Sequence, residues 1–227
     1  MGLSKYKEKR SFNKTPEPTG GKASGKELRF VVQKHDATNL HYDFRLEMEG
    51  VLKSWAVPKG PSMNPEDKRL AMMVEDHPYD YRTFEGTIPE GNYGAGTVMV
   101  WDEGTYEAMD HDGEPSKDQE KILLAELKKG DLKIVLHGEK LKGAFALVKM
   151  KSRGENAWLL IKKKDDEASE TDITKKDKSV KTKRTLNEIA QDEGGNIKTR
   201  TPAKKKRATP QLLNETAGKA VKKKSRS

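Results

Sequence analysis

The segment QKHDATNLHYDFRLE, residues 33–47, decides the fold of this chain. Its second half, HYDFRL at residues 41–46, alternates polar with apolar side chains, which is the pattern of a β-strand with one buried face. The tyrosine, phenylalanine and leucine of this run form an apolar face that can pack into a core. The other face carries His41, Asp43 and Arg45.

This polar face has the side chains of a binding site. An imidazole, a carboxylate and a guanidinium in a row are costly to bury unless they bind something. Imidazole and carboxylate suit a divalent transition metal such as manganese, and the neighbouring guanidinium of Arg45 suits a phosphate oxygen. His35 can return to the same site from a preceding strand or loop. The alternative is a solvated strand face with hydrogen-bonded histidines, which is common in antiparallel sheets.

A second polar cluster lies in MVEDHPYDYRTFEGTIPEGNYGAG, residues 73–96. Strand alternation places Glu75 and His77 on one face, and the proline after His77 predicts that the strand ends there, with the imidazole at a rim. Tyr81 can reach back toward the same pocket. The alternative is a polar loop whose tyrosines cover the core.

The glycine-rich run EGNYGAG, residues 90–96, is not predicted to bind phosphate as a P-loop does. It lacks the GK[ST] signature and a following helix, so we interpret it as a tight turn in which its three glycines adopt unusual backbone angles. Lys59, in a Pro-Lys-Gly turn, and Arg69 are further candidates for phosphate contacts.

The rest of the chain predicts a β-rich fold. Short apolar or alternating runs separated by Gly, Pro and Asp indicate strands and turns, and one helix is predicted to end at Gly130. We expect a compact, barrel-like domain over residues 28–164, with short helices. An irregular N-terminal arm spans residues 1–27, and a disordered basic tail spans residues 165–227.

Charge and composition limit the functional classes. The chain has 227 residues, a net charge of +9 and no cysteine, which excludes disulfides, thiolate zinc sites and a cysteine nucleophile. The positive excess lies after residue 162, and a basic tail on a neutral body indicates non-specific attachment to a polyanion. No apolar run is long enough to cross a membrane, and no secretion signal is evident. We expect a cytoplasmic protein that has no membrane partner.

Two long motifs, residues 30–62 (FVVQKHDATNLHYDFRLEMEGVLKSWAVPKGPS) and 74–107 (VEDHPYDYRTFEGTIPEGNYGAGTVMVWDEGTYE), resemble the 3′-phosphoesterase domain of bacterial DNA ligase D and its stand-alone relatives. The resemblance implies a barrel with a polar pocket on one side. It also implies manganese-dependent removal of a 3′-terminal ribonucleoside and then of the 3′-phosphate. The strand would be left with a 3′-hydroxyl for end joining.

The resemblance also implies roles for individual residues. His35, His41 and Asp43 match metal ligands, Arg45 and His77 match residues that engage the scissile phosphate, and Tyr81 matches a further essential residue. The arm residues Arg10 and Glu17 match a motif that assists ribonucleoside removal, although Ser11 stands where the family usually has Asp. The remaining matches are supporting positions: Gln33, Ser54, Lys59, Arg69 and Glu75.

Several functional alternatives stay open at this point. A non-catalytic nucleic-acid-binding barrel explains the basic tail, and an internally cutting nuclease would use the same residues. The sequence has no KxDG ligase motif, so the chain is not expected to seal nicks. It would then act on DNA or DNA–RNA 3′ ends beside a separate ligase or end-joining factor, or as a piece of a fusion. With an ordinary pKa near neutrality, His77 is the natural proton donor to the leaving oxygen.

Overall fold

Ten β-strands form one antiparallel sheet in the computed structural model, which describes residues 2–23, 25, 27–110 and 116–192. The strands are β1 (Leu28–Asp36), β2 (Leu40–Met48), β3 (Val51–Val57), β4 (Lys68–Met73), β5 (His77–Pro78), β6 (Gly86–Ile88), β7 (Gly96–Ala108), β8 (Asp131–Gly138), β9 (Lys142–Lys149) and β10 (Ala157–Lys162). The helices are α1 (Ser4–Glu8), α2 (Ser116–Lys129) and α3 (Leu186–Asp192). Short 3₁₀ helices span Tyr79–Thr83, Lys151–Arg153 and Ile173–Lys175.

Eight of the strands close into a barrel. Their order is β1-β2-β3-β4-β10-β9-β8-β7, and β7 pairs again with β1, so the eight-stranded ring has no open edge. The two shortest strands lie outside this ring, where β5 pairs with β3 and β6 pairs with β7. The predicted β-rich, barrel-like class with short helices is therefore confirmed.

The alternation in β2 separates a core face from a polar face, as predicted. Tyr42, Phe44 and Leu46 are buried in the main hydrophobic cluster, together with Trp55 and Trp101 from neighbouring strands. Burying large aromatic side chains supplies most of the apolar area that holds such a barrel together. The opposite face of β2 is left for His41, Asp43 and Arg45.

The predicted helix is α2, and it ends as expected. The residue after it, Gly130, has φ +85°, and its N–H donates to the carbonyl of Glu126 at 2.9 Å. A left-handed residue at this position closes the last helical turn, and glycine adopts it without steric cost. None of the helices within the described residues is both long and apolar enough to cross a membrane.

The N-terminal arm, residues 2–23, is more ordered than the sequence indicated. It begins with α1, whose Tyr6 is fully buried in a second hydrophobic cluster with Leu52, Tyr81 and Phe84. The Tyr6 hydroxyl donates to the carbonyl of Pro18 at 2.7 Å, which folds the arm back on itself. The arm thus packs on the outside of the barrel, against the wall segment formed by residues 77–88.

The prediction that disorder begins at residue 165 is wrong for residues 165–192, which we call the C-terminal strap. Ile173, Val180 and Ile189 of the strap are buried, and the N–H of Val180 donates to the carbonyl of Val100 in β7 at 3.0 Å. Three apolar anchors and backbone hydrogen bonds are enough to hold this polar stretch on the barrel. The rest of the predicted tail, residues 193–227, lies outside the described residues.

Candidate active site

Strand register brings the polar residues of β1, β2 and β3 together. Across β1 and β2, His35 pairs with His41 and Gln33 pairs with Asp43. Across β2 and β3, Arg45 pairs with Ser54. Residues that are directly opposite one another on one face of an antiparallel pair have neighbouring side chains. The three strands therefore present a continuous polar patch on the outside of the barrel.

Two histidines and one carboxylate within this patch form a possible metal site. Nδ1 of His35 lies 3.6 Å from Oδ2 of Asp43, and Nε2 of His41 lies 3.8 Å from Oδ1 of the same residue. One ligand atom from each of the three residues lies within 4.8 Å of the others. Among the described residues no other group of His, Cys, Asp and Glu side chains meets this condition.

Hydrogen bonds to backbone carbonyls fix how the two imidazoles face the carboxylate. Nε2 of His35 lies 2.9 Å from the carbonyl oxygen of Gly94, and Nδ1 of His41 lies 2.8 Å from that of Asn39. Because a carbonyl oxygen can only accept, these ring nitrogens carry the protons. The other ring nitrogen of each residue faces the carboxylate of Asp43. An imidazole with one nitrogen fixed by a hydrogen bond and the other facing the ion is the arrangement of metal-bound histidines.

Arg45 is the nearest fixed cation, and its guanidinium is held on three sides. It donates to Asp43 Oδ2 at 3.1 Å, to Ser54 Oγ at 2.9 Å and to Gln33 Oε1 at 2.8 Å. Burial by itself raises the pKa of Asp43, but the charge of Arg45 overcomes it and holds this pKa well below its usual range. Asp43 is therefore a carboxylate at neutral pH.

Gln33 joins this network to the wall segment. Its side-chain NH₂ donates to the carbonyls of Tyr81 at 2.9 Å and Phe84 at 2.8 Å, while its oxygen accepts from Arg45. Gln33 and Ser54 are both fully buried. They support the pocket from behind, in agreement with their predicted supporting positions.

The arm contributes a second guanidinium to the pocket. Arg10 donates to Glu17 Oε1 at 2.9 Å and to Glu75 Oε1 at 3.3 Å. Its Nη2 lies 3.3 Å from Nε2 of His77. The side chains of Arg10 and Glu17 are only 4% and 0% exposed, so the arm carries a buried ion pair into the site. Removing one partner of such a pair leaves the other as an uncompensated buried charge, which is strongly destabilising.

The surroundings of His77 favour its neutral form, whereas the role of proton donor was predicted from an ordinary pKa near neutrality. Burial, together with the positive charges of Arg45 and Arg10, holds the pKa of His77 well below its usual range. Its Nδ1 lies 2.9 Å from the carbonyl of Glu75 and donates to it. The lone pair on Nε2 is therefore directed to Arg10. In the free protein His77 can accept a proton, and it has none to give from that atom.

Tyr81 connects the wall segment to the arm. Its hydroxyl donates to Glu17 Oε1 at 3.0 Å, and the guanidinium carbon of Arg45 lies 4.9 Å from its ring centroid. Burial and the carboxylate of Glu17 raise the pKa of Tyr81 well above its usual range. The hydroxyl consequently stays protonated.

These side chains surround a cavity of about 180 Å³. The predicted site residues that line it come from the arm, from β1, β2 and β5, and from the loop and 3₁₀ helix that flank β5: Arg10, His35, His41, Asp43, Arg45, Glu75, His77 and Tyr81. Glu17, Gln33 and Ser54 lie directly behind that lining, in hydrogen-bond contact with it.

Lys59 and Arg69 are not brought to this cavity. Lys59 is exposed in the turn that follows β3. Arg69 lies in β4, where its guanidinium donates to Asp67 at 2.8 Å. Neither residue lines the cavity, and their suggested phosphate contacts find no support in the geometry. Ser11, in the arm, is exposed.

Comparison with known proteins identifies the family. A sequence profile of the DNA ligase D 3′-phosphoesterase domain matches residues 33–149. The chain belongs to this family. The match includes His35, the whole of β2 and the wall segment, whereas the arm precedes it. The match therefore does not bear on Arg10 and Glu17, whose part in ribonucleoside removal stays a prediction.

Relatives of this phosphoesterase domain are much longer proteins. The chain is 49% identical over 192 residues to the multifunctional non-homologous end joining protein LigD of Pseudomonas aeruginosa, which covers 81% of this chain and 22% of that protein. It is 41% identical over 172 residues to the multifunctional non-homologous end joining DNA repair protein LigD of Mycobacterium tuberculosis, over 75% of this chain and 21% of that protein. The chain thus spans about a fifth of the length of these relatives.

The glycine-rich turn is a part of the phosphoesterase pocket that the sequence analysis missed. Gly91, Gly94 and Gly96 all have positive φ angles, which confirms the tight turn. The same turn also supplies the carbonyl that orients His35 and places Tyr93 in the lining of the cavity. The sequence signal for this part of the pocket is a tyrosine between glycines, in a run that was predicted only to form a tight turn.

Proposed function

We propose that this chain is a divalent-metal-dependent DNA repair phosphoesterase that removes 3′-terminal ribonucleosides and 3′-phosphates. The product is a 3′-hydroxyl that a ligase can join. The observation that carries the proposal is the pair of histidines that each have one ring nitrogen against a backbone carbonyl and the other ring nitrogen directed at Asp43, which also contacts Arg45. Membership in a 3′-phosphoesterase family supports the same reaction class.

The three residues fit a manganese ion by their donor chemistry. His35, His41 and Asp43 offer two neutral imidazoles and one carboxylate, a set that suits Mn²⁺ and also other divalent transition metals. When bound there, the ion would polarise a non-bridging phosphate oxygen as a Lewis acid. The hydrogen bonds that the two imidazoles donate to the carbonyls of Gly94 and Asn39 would keep the ligand atoms directed to it.

Arg45 would hold a second phosphate oxygen. Three of its five N–H groups bind Asp43, Ser54 and Gln33, which leaves two that can face the cavity. Its position is fixed before substrate arrives, so it loses little freedom when the phosphate gains negative charge in the transition state. Preorganised donors of this kind supply a large part of enzymatic rate enhancement.

His77 would take part in proton transfer during the reaction. In the free protein it is a proton acceptor, because burial and then the charges of two guanidinium groups lower its pKa. A phosphate bound beside Arg10 and Arg45 offsets their charges and raises the pKa of His77 toward the range where it can donate to the leaving oxygen. Phosphate binding and protonation of His77 are then coupled. A route through phosphorylated histidine uses the same group.

The small pocket favours strand ends over internal sites. A cavity of about 180 Å³, bounded on one side by the arm, accepts a phosphate more readily than a strand that continues in both directions. The relatives named above are end-joining proteins by their names, which fits an end-processing role. A separate ligase or end-joining factor as partner belongs to the same proposal.

The test compares two labelled strands with and without a chelator. We expect Mn²⁺-dependent release of phosphate from a 3′-phosphate strand and loss of the terminal nucleoside from a strand that ends in one ribonucleotide. An internally labelled strand with a blocked 3′ end should remain whole, and cutting of that strand would identify an internal nuclease instead. Binding of all strands without any turnover in Mn²⁺ would leave the non-catalytic nucleic-acid-binding barrel.

A further inference from the structure

One aromatic side chain at the mouth of the cavity has no role in the reaction described above. Tyr93 lines the cavity and yet is 48% exposed, the largest exposed fraction among the big apolar residues that the structure describes as exposed. Exposed aromatic surface is costly in water, so a ring held open beside a reactive pocket points to a ligand that covers it.

The ring of Tyr93 is held in place by two cations of the arm. The ammonium of Lys9 lies 4.6 Å from its centroid and the guanidinium carbon of Arg10 lies 5.3 Å away. Lys9 also donates to the Tyr93 hydroxyl at 3.2 Å. The carbonyl of the next residue, Gly94, accepts the hydrogen bond that orients His35. Tyr93 is thus fixed between the arm and the metal site without being buried.

The size of the cavity decides what meets this ring. A volume of about 180 Å³ lies below the ~300–1,000 Å³ of sites that enclose a drug-sized ligand. The cavity can take a phosphate, but the nucleoside attached to that phosphate has to rest at the mouth. Bases stack on exposed aromatic rings whatever their identity, because every base has a π-face.

We infer that Tyr93 is a positioning residue that stacks on the base of the nucleoside whose 3′ oxygen carries the scissile phosphate. This inference rests on the proposed function. It adds a base-stacking subsite that is independent of base identity and common to both substrates. It also gives the cations of Lys9 and Arg10 a second use, since their contacts with the ring help to fix it as a platform for the base.

The test pairs a protein change with a substrate change. Tyr93→Ala should raise KM about 5- to 100-fold for a short strand ending in a normal nucleoside 3′-phosphate, with kcat nearly unchanged, since a stacked base is bound equally in ground and transition states. Tyr93→Phe should keep the wild-type KM, because the ring remains and only the bond to Lys9 is lost. Met109→Ala, which changes an exposed residue outside the cavity lining, is the control.

The decisive comparison uses the same strand with an abasic terminal nucleoside. Wild type and Tyr93→Ala should then have equal KM values, because there is no base to stack. A KM that rises equally on both strands, or that rises as much in Tyr93→Phe, would mean that Tyr93 only supports Lys9, and the inference would be dropped. An unchanged KM on the normal strand would overturn it as well.

A binding measurement separates this inference from the proposed reaction. With 2-aminopurine as the terminal base and the metal chelated, stacking should quench its fluorescence on wild type and on Tyr93→Phe but not on Tyr93→Ala. Quenching without phosphate release in Mn²⁺ would reject the proposed function and keep the stacking subsite. Phosphate release with equal fluorescence on wild type and Tyr93→Ala would reject the stacking subsite and keep the proposed function.

Discussion

The N-terminal arm and the C-terminal strap hold the same wall segment from two sides, but only the arm enters the pocket. The arm grips Tyr81 through Glu17 and places Arg10 beside His77. The strap grips the other end of the segment at Glu85, which accepts from Ser179 Oγ at 2.6 Å and from the hydroxyl of Thr182. The strap contributes no residue to the lining of the cavity.

This difference shows how one structural element can be supported by two kinds of contact. The arm bonds to the wall segment through charged groups that also touch the reactive side chains, so its loss should be felt in the chemistry. The strap satisfies a carboxylate that is only 2% exposed and is remote from the lining. Its loss should be felt mainly in the free energy of unfolding, since a buried carboxylate without partners is costly.

The largest expected effect on turnover comes from a change in the pocket itself, and the effects of the arm and the strap are compared with it. His41→Ala should lower turnover on the order of 10³-fold, because ligand loss removes several kcal/mol of charge stabilisation. The fold should persist, since the His41 side chain is 22% exposed and belongs to no hydrophobic cluster. Turnover in titrated Mn²⁺ and a Mn²⁺ binding isotherm measure this. Near-normal turnover at limiting Mn²⁺ would remove His41 from the ligand set.

The arm should come next, with an effect that differs between the two substrates. Ribonucleoside removal requires holding a nucleoside beyond the scissile phosphate, whereas phosphate removal does not. Positional errors of about 1 Å can cost on the order of 10²-fold in rate. The double variant Arg10→Gln/Glu17→Gln should therefore slow ribonucleoside removal about 10²-fold and phosphate removal less than about tenfold.

This double variant removes both charges of the Arg10–Glu17 pair together. Glu75 also loses Arg10 but keeps its ion pair with Lys9 at 3.0 Å. Time courses on a strand ending in one ribonucleotide and on a 3′-phosphate strand give the readout. Ser11→Asp, at an exposed arm position, should leave the first reaction unchanged or speed it. Equal slowing of both reactions by the double variant would mean that the arm only supports the fold, as the strap does.

The strap should show the opposite balance of effects. Glu85→Ala removes the acceptor of the Val100 N–H at 2.9 Å and of two strap hydroxyls. We expect the free energy of unfolding to fall by about 2–4 kcal/mol, with kcat changed less than threefold well below the melting temperature. Denaturant unfolding and steady-state kinetics measure the two quantities.

A matched control is Glu139→Ala, which lies in the turn between β8 and β9 and removes the partner of the strap residue Lys183. Glu139 pairs with Lys183 at 3.4 Å, but both side chains are more than half exposed, and such surface pairs contribute little. Its unfolding free energy should stay close to that of wild type. If Glu85→Ala lowers kcat as strongly as the arm variant does, then the strap also positions Tyr81, and the contrast between the two elements fails.

The sequence predicted those parts of the site that depend on strand alternation. His41, Asp43 and Arg45 could be placed on one face because the period of a strand is two residues, and the matching positions of His35 and Gln33 follow from antiparallel pairing. Lys59 and Arg69 could not be excluded, because whether a cation turns toward a pocket depends on tertiary pairing. Arg69, for example, lies in β4 opposite Leu160 of β10, a strand much later in the chain.

The strap could not be predicted from composition. It is rich in lysine, and its three apolar anchors are spread over 17 residues, without a helical or strand period. Besides these anchors, the strap is held by hydrogen bonds to a buried carboxylate, that of Glu85, about 95 residues earlier in the chain. Hydrogen bonds between such distant residues leave no local pattern, so a polar stretch that folds onto a barrel resembles one that stays solvated.

The smallest effect on chemistry should come from residues 193–227, which sharpen the comparison because they carry the excess positive charge of the chain. This stretch carries 11 Lys and Arg against 2 Asp and Glu, so it holds the entire +9 of the chain. Deleting it should leave turnover on a short strand unchanged, because the cavity is lined by residues between Arg10 and Gly94. Affinity for long DNA should fall, and its dependence on salt should weaken, since fewer counterions are released when fewer cations meet phosphates.

The deletion has to begin after the strap. Removing residues from 165 onward would also take away Val180 and Ile189, which are buried against the barrel, and a loss of activity would then report unfolding. Kd for long DNA measured from low to high salt, on the full chain and on residues 1–192, gives the two slopes. Equal slopes would show that the basic residues do not meet the DNA backbone. A slower reaction on the short strand, with an unchanged free energy of unfolding, would instead show that residues 193–227 contribute to the reaction, as the arm is expected to do.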